Sequence, residues 1–307
     1  MSLTRNARNL PVLSISDNFS PIELKTLLAL DQDVNGLKPK SPHYTITMPR
    51  YYTHGKITNM KNVKALIFDV FGTVVDWRTS VIDECLELAK ANNIHADWGQ
   101  FADAWRAKYG PFMNKVRTKE LPWTNLDRLH RMALDELLSE FHINTLSEDD
   151  KHQLNLCWHR LHPWPDSVSG LTQLKKHFLI APLSNGNLAL LTNMAKNAGL
   201  PWDCILSAEL AKAYKPDPDV YKMAVNLLGL QPNQVVMVAA HQGDLRAAKK
   251  IGLKTAFIPR PLEHGPQSNP DLKPDPDFDI VASSLDDLAK KMASQFTHTQ
   301  GSNATSI

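Results

Sequence analysis

Residues 63–70 of the chain read Val-Lys-Ala-Leu-Ile-Phe-Asp-Val and carry the clearest signal for the fold. Apolar residues follow one another without the alternation of a half-exposed strand, which is typical of a central parallel strand buried on both faces. The run closes on Asp69-Val70. Comparable short apolar runs recur later in the chain, at Phe178–Leu183, Cys204–Leu206, Val235–Ala240, Thr255–Ile258 and Asp279–Val281.

Helical patterns separate several of these runs, at about Leu188–Ala198, Pro218–Leu228 and Leu245–Ile251. Strands that alternate with helices predict a doubly wound α/β fold with a parallel sheet. Ligands of such sheets bind beyond the carboxyl ends of the strands. Candidate functional residues are therefore expected at Asp69, at Ser184 and after Val238.

About 100 residues between the first two strands show helical periodicity and no convincing strand. An insertion of that size is too long for a loop, so we expect a helical cap over the carboxyl edge of the sheet. The predicted division is a core of 60–76 and 166–295, a cap of 77–165 and a flexible tail of 296–307. The cap helices are expected near Ser80–Ala91, Trp98–Arg117, Leu126–Phe141 and Ser147–Arg160, the last opened by a Ser147-x-x-Asp150 cap.

Residues 1–59 differ in character from the rest. Ser20, Pro21 and Glu23 form a capping-box pattern that predicts one helix from about Pro21 to Val34. A single helix cannot build a core of its own. We expect this extension to pack on the core or to be partly disordered, and it contains no catalytic constellation.

Composition excludes several classes of protein. The chain has 307 residues, 43% of them hydrophobic, with 34 basic and 32 acidic side chains and a net charge of +2. This excludes disorder as the main state and a dedicated nucleic-acid binder, which would carry a one-sided basic field. No run approaches the roughly 18 to 20 apolar residues that span a bilayer, so we expect a soluble protein without membrane contact.

The cysteines and the N-terminus bear on the compartment. Cys85, Cys157 and Cys204 are odd in number and widely spaced, which indicates reduced thiols in the cytoplasm. Arg5 and Arg8 precede the first acidic residue, Asp17, and this leaves a transit peptide open as an alternative.

Polar side chains follow the predicted strands one after another. Asp69 ends the first strand, Ser184-Asn185 follows the second, Lys215 stands in a proline-bounded turn, and Asp244 follows the run Val235–Ala240. A carboxylate at the end of a buried strand is costly unless it is solvated or paired. Taken alone, Asp69 could be either a cap for the next turn or a reactive group.

The order carboxylate, hydroxyl, lysine and carboxylate at successive strand–helix junctions resembles the haloacid dehalogenase superfamily. Within it, residues 68–76 (Phe-Asp-Val-Phe-Gly-Thr-Val-Val-Asp) are similar to those of the type II (S)-2-haloacid dehalogenases. The resemblance runs from about Val63 to Ala289. It implies a Rossmann-type core with a helical cap.

Two departures separate the chain from the phosphatases of this superfamily. Phe71 stands where they carry a second aspartate that acts as general acid and helps hold magnesium. Ala240 stands where they usually carry a further carboxylate for the metal. Because magnesium prefers oxygen ligands in octahedral geometry, we expect neither a metal nor another cofactor. Lys215 then remains as the cation that neutralises Asp69 and Asp244.

The resemblance also implies a mechanism and a set of site residues. Asp69 would attack the carbon that bears the halogen, with inversion, and water would hydrolyse the resulting ester. Lys215 and Asp244 would support Asp69, while Thr73 and Ser184 would orient it or the substrate carboxylate. The remaining residues implied in substrate or halide binding are Arg106, Asn185, Tyr221, His241, Val70 and Phe71.

Several of these assignments have alternatives. Arg106 alone is an ordinary surface residue of a helix, and Tyr221 could face the core. His241 stands where the best-known dehalogenases have asparagine, and it could orient or deprotonate the hydrolytic water or bind the Asp69 loop. Phe71, Trp105 and Trp164 could line an apolar pocket or belong to the core.

The expected activity is hydrolytic dehalogenation of a short halocarboxylate, a small-molecule partner, and the resemblance implies a homodimer. Two alternatives stay open at this point. One is another hydrolase of the superfamily, including a small-molecule phosphatase. The other is a non-catalytic binding protein that keeps the fold, which the unusual residues Ala239 and His241 would suit.

Overall fold

The structure is a computed structural model that describes the backbone of residues 3–5, 11–14, 45–47, 60–265 and 272–300, and the side chains of 60–265 and 272–294. Three short strands, β1 (Leu3–Arg5), β2 (Pro11–Ser14) and β3 (Thr45–Thr47), form a small sheet. The sequence pattern does not predict them, because each has only three or four residues. The predicted helix Pro21–Val34 lies outside the described residues.

A six-stranded parallel sheet forms the centre of the fold, in the order β11-β10-β9-β4-β7-β8. The strands after β3 are β4 (Ala65–Phe68), β5 (Val75–Asp76), β6 (His162–Pro163), β7 (Leu179–Ser184), β8 (Leu206–Ser207), β9 (Val235–Ala239), β10 (Lys254–Phe257) and β11 (Ile280–Val281). All residues of β4 and β9 are fully buried, as their unbroken apolar runs require. The predicted doubly wound α/β fold is confirmed.

The strand order fixes where a ligand can bind. β4 is central, with β7 on one side and β9 on the other. The chain leaves β4 toward β7 and later returns to β9, so the direction of winding reverses beside β4. A crevice forms at such a switch point beyond the carboxyl ends of the strands. Asp69, the residue after β4, lies there.

Helices fill the insertion between β5 and β6. They are α1 (Trp77–Asn92), α2 (Trp98–Arg117), α3 (Leu126–Glu140) and α4 (Glu148–Asn155), followed by a 3₁₀ turn at Leu156–His159. The capping box of Ser147 and Asp150 is present, as the sequence predicts. α1 begins three residues before the predicted start, because Asp76 accepts a hydrogen bond from the Thr79 N–H and caps it.

Five further helices of the described residues flank the sheet: α5 (Ser167–Lys175), α6 (Leu188–Ala198), α7 (Pro218–Leu227), α8 (Gln242–Lys250) and α9 (Leu285–Gln300). Sequence periodicity predicts three of them and misses α5 and α9, which pack on each other. Gly170 permits this close approach, since a Cβ there would lie 2.5 Å from the Leu285 carbonyl carbon.

Helix α9 reaches five residues into the tail predicted for 296–307, whose flexibility stays a prediction. Helix α9 continues to Gln300, since neither glycine nor proline occurs between Leu285 and that residue to stop it. The boundaries of core and cap remain predictions; the two ends of the insertion meet in the antiparallel pair of β5 and β6. No helix within the described ranges is both long and apolar enough to cross a membrane.

Candidate active site

Polar side chains from three neighbouring strand ends meet at the crevice. Asp69 follows β4, and its backbone N–H donates to the Val238 carbonyl of β9 at 2.9 Å. Ser184 ends β7, and His241 follows β9 by two residues. Lys215 and Asp244 reach the same point from the turn before α7 and from the first turn of α8. Because parallel strands end at one edge of the sheet, residues far apart in sequence become neighbours.

The two carboxylate oxygens of Asp69 have different partners. Oδ1 accepts a hydrogen bond from Lys215 Nζ at 3.0 Å. Oδ2 accepts from Thr73 Oγ1 at 2.7 Å and lies 2.8 Å from His241 Nδ1. Thr73 Oγ1 itself accepts from the Ala240 N–H at 2.9 Å, so its own hydrogen is directed at Asp69. Burial works against the charged carboxylate, yet Lys215 and His241 hold the pKa of Asp69 well below its usual range.

Lys215 joins the two carboxylates of the crevice. Its ammonium group is buried and also contacts Asp244 Oδ2, while the Tyr221 hydroxyl donates to Asp244 Oδ1. Burial works against the charged amine, but the two carboxylates raise the pKa of Lys215 above its ordinary value. Burial raises the pKa of Asp244 above its ordinary value. The positive charge of Lys215 lowers this pKa in part, and the negative charge of Asp69 raises it further. Tyr221 is both a core residue and a site residue, since its ring is fully buried.

His241 lies between two carboxylates. Nδ1 faces Asp69, and Nε2 lies 2.9 and 3.1 Å from the two oxygens of Glu263, which the sequence analysis does not single out. Burial disfavours a charged imidazole, but Asp69 and Glu263 together raise the pKa of His241 to about 10. Burial likewise disfavours charge on Glu263, but His241 lowers the pKa of that carboxyl. His241 is therefore an imidazolium at neutral pH.

Asn185, Ser184 and Val70 support the loops around Asp69. The Asn185 side-chain oxygen accepts from the Lys215 backbone N–H at 2.7 Å, so its NH₂ group points to helix α2, 3.4 Å from Met113 Sδ. Ser184 Oγ accepts from the Gly186 N–H at 3.2 Å. The Val70 carbonyl accepts from two N–H groups of the following turn. Direct contacts of these three residues with a substrate remain predictions.

Arg106 projects from α2 into a cluster of aromatic rings. Its guanidinium carbon lies 4.3 Å from the ring centre of Tyr109, 5.5 Å from that of Trp77 and 6.0 Å from that of Phe71. Nη1 is buried and has no hydrogen-bond partner among the described residues. A buried guanidinium N–H without an acceptor is suited to an anion.

Two further buried side chains of this cluster have polar atoms without partners. The His130 ring stacks on Trp158 at 4.3 Å between ring centres, and Trp158 contacts Phe71 at 6.0 Å. Both ring nitrogens of His130 and the indole nitrogen of Trp158 lack a partner among the described residues. Burial lowers the pKa of His130 to about 3, so this imidazole is neutral. The Trp105 ring is fully buried, 5.4 Å from the ring of Trp158 between centres, and its lining of a pocket stays a prediction.

Trp164 lies beside the turn at Gly72. Its indole N–H donates to the Gly72 carbonyl at 2.9 Å, and the Arg260 guanidinium carbon lies 5.6 Å from the centre of its ring. Lining of an apolar pocket by Trp164 stays a prediction.

Comparison with known proteins places this site in a family. A model of the haloacid dehalogenase-like hydrolases matches residues 63–252, more than half of the chain. The chain belongs to this family of hydrolases. Among curated relatives, (S)-2-haloacid dehalogenase 4A of Burkholderia cepacia is 31% identical over 226 residues, covering 69% of this chain and 94% of the relative. (S)-2-haloacid dehalogenase 1 of Pseudomonas sp. (strain CBS-3) is 30% identical over 204 residues, covering 66% of this chain and 86% of the relative.

Solved structures of the family agree with the fold. The defluorinating L-2-haloacid dehalogenase Rha0230 is 44% identical, with a TM-score of 0.75 over 77% of this chain and 99% of the other. The L-2-haloacid dehalogenase PA0810 is 46% identical, with a TM-score of 0.74 over 76% and 99% of the two chains. Both the α/β core and the resemblance inferred from the motifs are thereby confirmed.

The donor set beside Asp69 does not suit the magnesium ion of the family's phosphatases. Nitrogen cations contact both of its oxygens, Lys215 Nζ at 3.0 Å and His241 Nδ1 at 2.8 Å. Phe71 and Ala240 offer no side-chain oxygen where a magnesium site needs carboxylates. Across the described ranges, no group of three His, Cys, Asp or Glu side chains could hold a metal ion.

Most of the predicted site residues therefore converge on one crevice, and their catalytic roles remain predictions. The residues that sequence reasoning missed are Glu263, Trp77, Tyr109, His130 and Trp158. The sequence gives one weak indication that Glu263 is a site residue, since Glu263 follows the apolar run that forms strand β10. The cap residues carry none, because a histidine or an aromatic residue on a helix usually packs in a core.

Proposed function

We propose that the chain hydrolyses short 2-haloalkanoic acids to 2-hydroxy acids through an ester on Asp69, with inversion at the reacting carbon. The observation that carries this proposal is the ionised Asp69 carboxylate, paired with Lys215 and followed two residues later by the hydrophobic residue Phe71. Phe71 cannot donate a proton to a leaving group, and a halide needs none. The (S)-2-haloacid dehalogenases among the relatives support the same substrate class.

The first step is a displacement at carbon. A lone pair of Asp69 forms a bond to C2 of the haloacid while the carbon–halogen bond breaks and its electron pair leaves with the halide. Attack from the side opposite the halogen inverts C2. The lowered pKa of Asp69 keeps this oxygen unprotonated at neutral pH.

The second step is hydrolysis at the aspartyl carbonyl. Water adds to Cγ of Asp69, and the bond between Cγ and the ester oxygen breaks to release the 2-hydroxy acid. The departing alkoxide takes one proton of the water and becomes the hydroxyl group of the product. The other proton passes through Asp244 to solvent. Asp244 suits this transfer because it is the second carboxylate on Lys215 and its pKa is raised.

Anion binding falls to the cap and to the strand ends. The donors offered are Arg106 Nη1, which has no partner among the described residues and whose guanidinium lies over Phe71, and the NH₂ group of Asn185 after β7. A haloacid presents two such anions, its carboxylate and the departing halide. The surrounding rings exclude water, which strengthens both contacts.

Halide release tests the proposal. We expect release from chloroacetate, bromoacetate and (S)-2-chloropropionate and none from the (R) enantiomer; fluoroacetate belongs in the panel because one relative is described as defluorinating. Asp69→Asn is the matched control and should release none. In ¹⁸O water, a single turnover with excess enzyme should place the label in Asp69 and leave the product unlabelled.

Phosphate release is the opposing outcome. Magnesium-dependent hydrolysis of a small phosphate ester, without halide from any haloacid, would overturn the proposal in favour of a phosphatase. Label in the product of the first turnover would overturn the ester intermediate alone.

A further inference from the structure

His241 and Glu263 form a chain of contacts that ends on Asp69. His241 Nδ1 lies 2.8 Å from Asp69 Oδ2, and Nε2 lies 2.9 Å from Glu263 Oε1. A neutral imidazole carries a proton on only one of its two nitrogens. The lone pair of the other nitrogen would then face a carboxylate, which can only accept a hydrogen bond. Protons on both nitrogens satisfy both contacts.

The surroundings of this pair support the charged ring. Besides Asp69 and Glu263, the charged or titratable groups near it are Lys215 on the far oxygen of Asp69, Arg106, and His264, whose Nε2 lies 3.7 Å from Glu263 Oε1. Glu263 is almost fully buried and also accepts from the Trp77 indole N–H at 3.2 Å. A buried carboxylate held in this way keeps its partner ring both charged and fixed in direction.

Gly72 makes room for Glu263. Its φ is +80°, and a Cβ at this position would lie 2.1 Å from Glu263 Oε1. The turn after Asp69 therefore brings the carboxylate against the backbone of the nucleophile's own loop. The backbone of this turn requires glycine at Gly72, and the same glycine admits Glu263.

The two donors on Oδ2 distinguish the two oxygens of Asp69 chemically. Oδ1 has one donor, Lys215, while Oδ2 has Thr73 at 2.7 Å and His241 at 2.8 Å. Among the residues that the structure describes, Oδ1 is therefore the less engaged oxygen, has the more available lone pair and becomes the ester oxygen. Oδ2 then becomes the ester carbonyl oxygen, on which negative charge develops when water attacks. Donors already in place at that atom are what an oxyanion site requires.

We propose that Glu263 is a positioning residue that holds His241 as the charged member of an oxyanion site, with Thr73, for hydrolysis of the Asp69 ester. The assignment rests on the proposed dehalogenation and adds the role of one oxygen of Asp69. It also gives His241 a role other than that of general base. With its protons directed at Asp69 and Glu263, the ring has no lone pair for a water molecule.

Steady-state kinetics of Glu263→Gln test this assignment, because the two steps affect different constants. The variant should lower kcat about tenfold and His241→Ala about 10²- to 10³-fold, the usual loss for one oxyanion donor. KM should fall with kcat, so that kcat/KM, which reports alkylation, stays within about twofold of wild type. Glu84→Gln, which removes the Glu84–Arg160 ion pair within the cap, is the control and should change neither constant.

Four further measurements complete the test. Mass spectrometry of Glu263→Gln quenched during turnover should find the ester on Asp69. Pre-steady-state halide release by the same variant should show a burst equal in amount to the enzyme. The double variant His241→Ala/Glu263→Gln should be no slower than His241→Ala, since Glu263 acts through the ring. In ¹⁵N-histidine NMR of the substrate-free protein, His241 should stay charged to higher pH in wild type than in Glu263→Gln.

The outcomes separate this assignment from the proposed function. A wild-type protein that releases no halide would overturn both. Halide release by wild type, together with a Glu263→Gln variant that loses kcat/KM and accumulates no ester, would overturn the assignment alone. The NMR comparison would also overturn the assignment, without any measurement of catalysis, if His241 titrates alike in wild type and in Glu263→Gln.

Discussion

Lys215→Met removes the cation that two buried carboxylates share. Lys215 Nζ lies 3.0 Å from Asp69 Oδ1 and also contacts Asp244. At an effective dielectric constant of about 20, attraction over 3.0 Å amounts to about 5.5 kcal/mol. Methionine replaces the stem of the lysine and leaves both carboxylates buried. Removing one partner of a buried ion pair costs about 3–5 kcal/mol, and we expect the free energy of unfolding to fall by that amount at about pH 8.

The loss should depend on pH with a definite sign. In wild type the pKa of Asp69 is lowered, so its contribution to stability is present above its unfolded pKa of about 4 and is lost as pH falls. In the variant, Asp69 keeps His241 as its counter-ion, but Asp244 keeps only the hydrogen bond from the Tyr221 hydroxyl. The pKa of Asp244 then rises further above its unfolded value, which destabilises the fold increasingly as pH rises. The difference between the two proteins should therefore grow from about pH 4 to neutrality.

Urea denaturation followed by circular dichroism at several pH values measures this difference. Lys175→Met is the matched control, because Lys175 Nζ lies 2.9 Å from Asp203 but its side chain is 40% exposed. An exposed pair contributes at most about 1 kcal/mol. A loss below about 1 kcal/mol for Lys215→Met, or one that does not change with pH, would refute the account of Lys215 as the shared counter-ion.

Three further substitutions, one of them with a matched control, test other parts of the site. Arg106→Lys keeps the charge but loses the planar fork, and kcat/KM for (S)-2-chloropropionate should fall about ten- to a hundredfold; an unchanged value would contradict its role in anion binding. Gly72→Ala should lower the free energy of unfolding by about 1–3 kcal/mol, because φ is +80° and the new Cβ meets Glu263. Gly243→Ala is its control, because a Cβ at that position would meet nothing within 4 Å. It should not lower the free energy of unfolding in the same denaturation series. His130→Phe should raise the stability of the substrate-free protein by about 1 kcal/mol, since two buried nitrogens without partners disappear; a lower melting temperature would show that they are paired.

The balance of charge at the crevice explains how the site manages without the carboxylates of a magnesium site. Asp69 and Asp244 share Lys215, and Glu263 is paired with His241, which also contacts Asp69. The cations are therefore side chains with fixed positions. They stabilise the charged nucleophile, and the proposed ester hydrolysis uses two donors that are already oriented before substrate binds.

The elements of the core were predictable because each has its own periodicity. The strand ends at Asp69 and Ser184 and the helix Leu188–Ala198 follow from local sequence alone. Helices α5 and α9 were not predictable in this way. Each is marked weakly by its own sequence, and they are stabilised by packing on each other at Gly170, a contact between segments more than 100 residues apart.

The sequence by itself determined the doubly wound fold, the order of Asp69, Lys215 and Asp244 along it, and the absence of a second aspartate at Phe71, because these are properties of residue type and local spacing. Only the tertiary structure decided that Glu263 reaches His241 and that Thr73 and His241 share one oxygen of Asp69. Such contacts depend on the directions of side chains from separate loops, which local periodicity does not specify. The same holds for the cap, where the Arg106 guanidinium carbon and the Trp158 ring each come to 6.0 Å from the Phe71 ring centre only after the helices have packed.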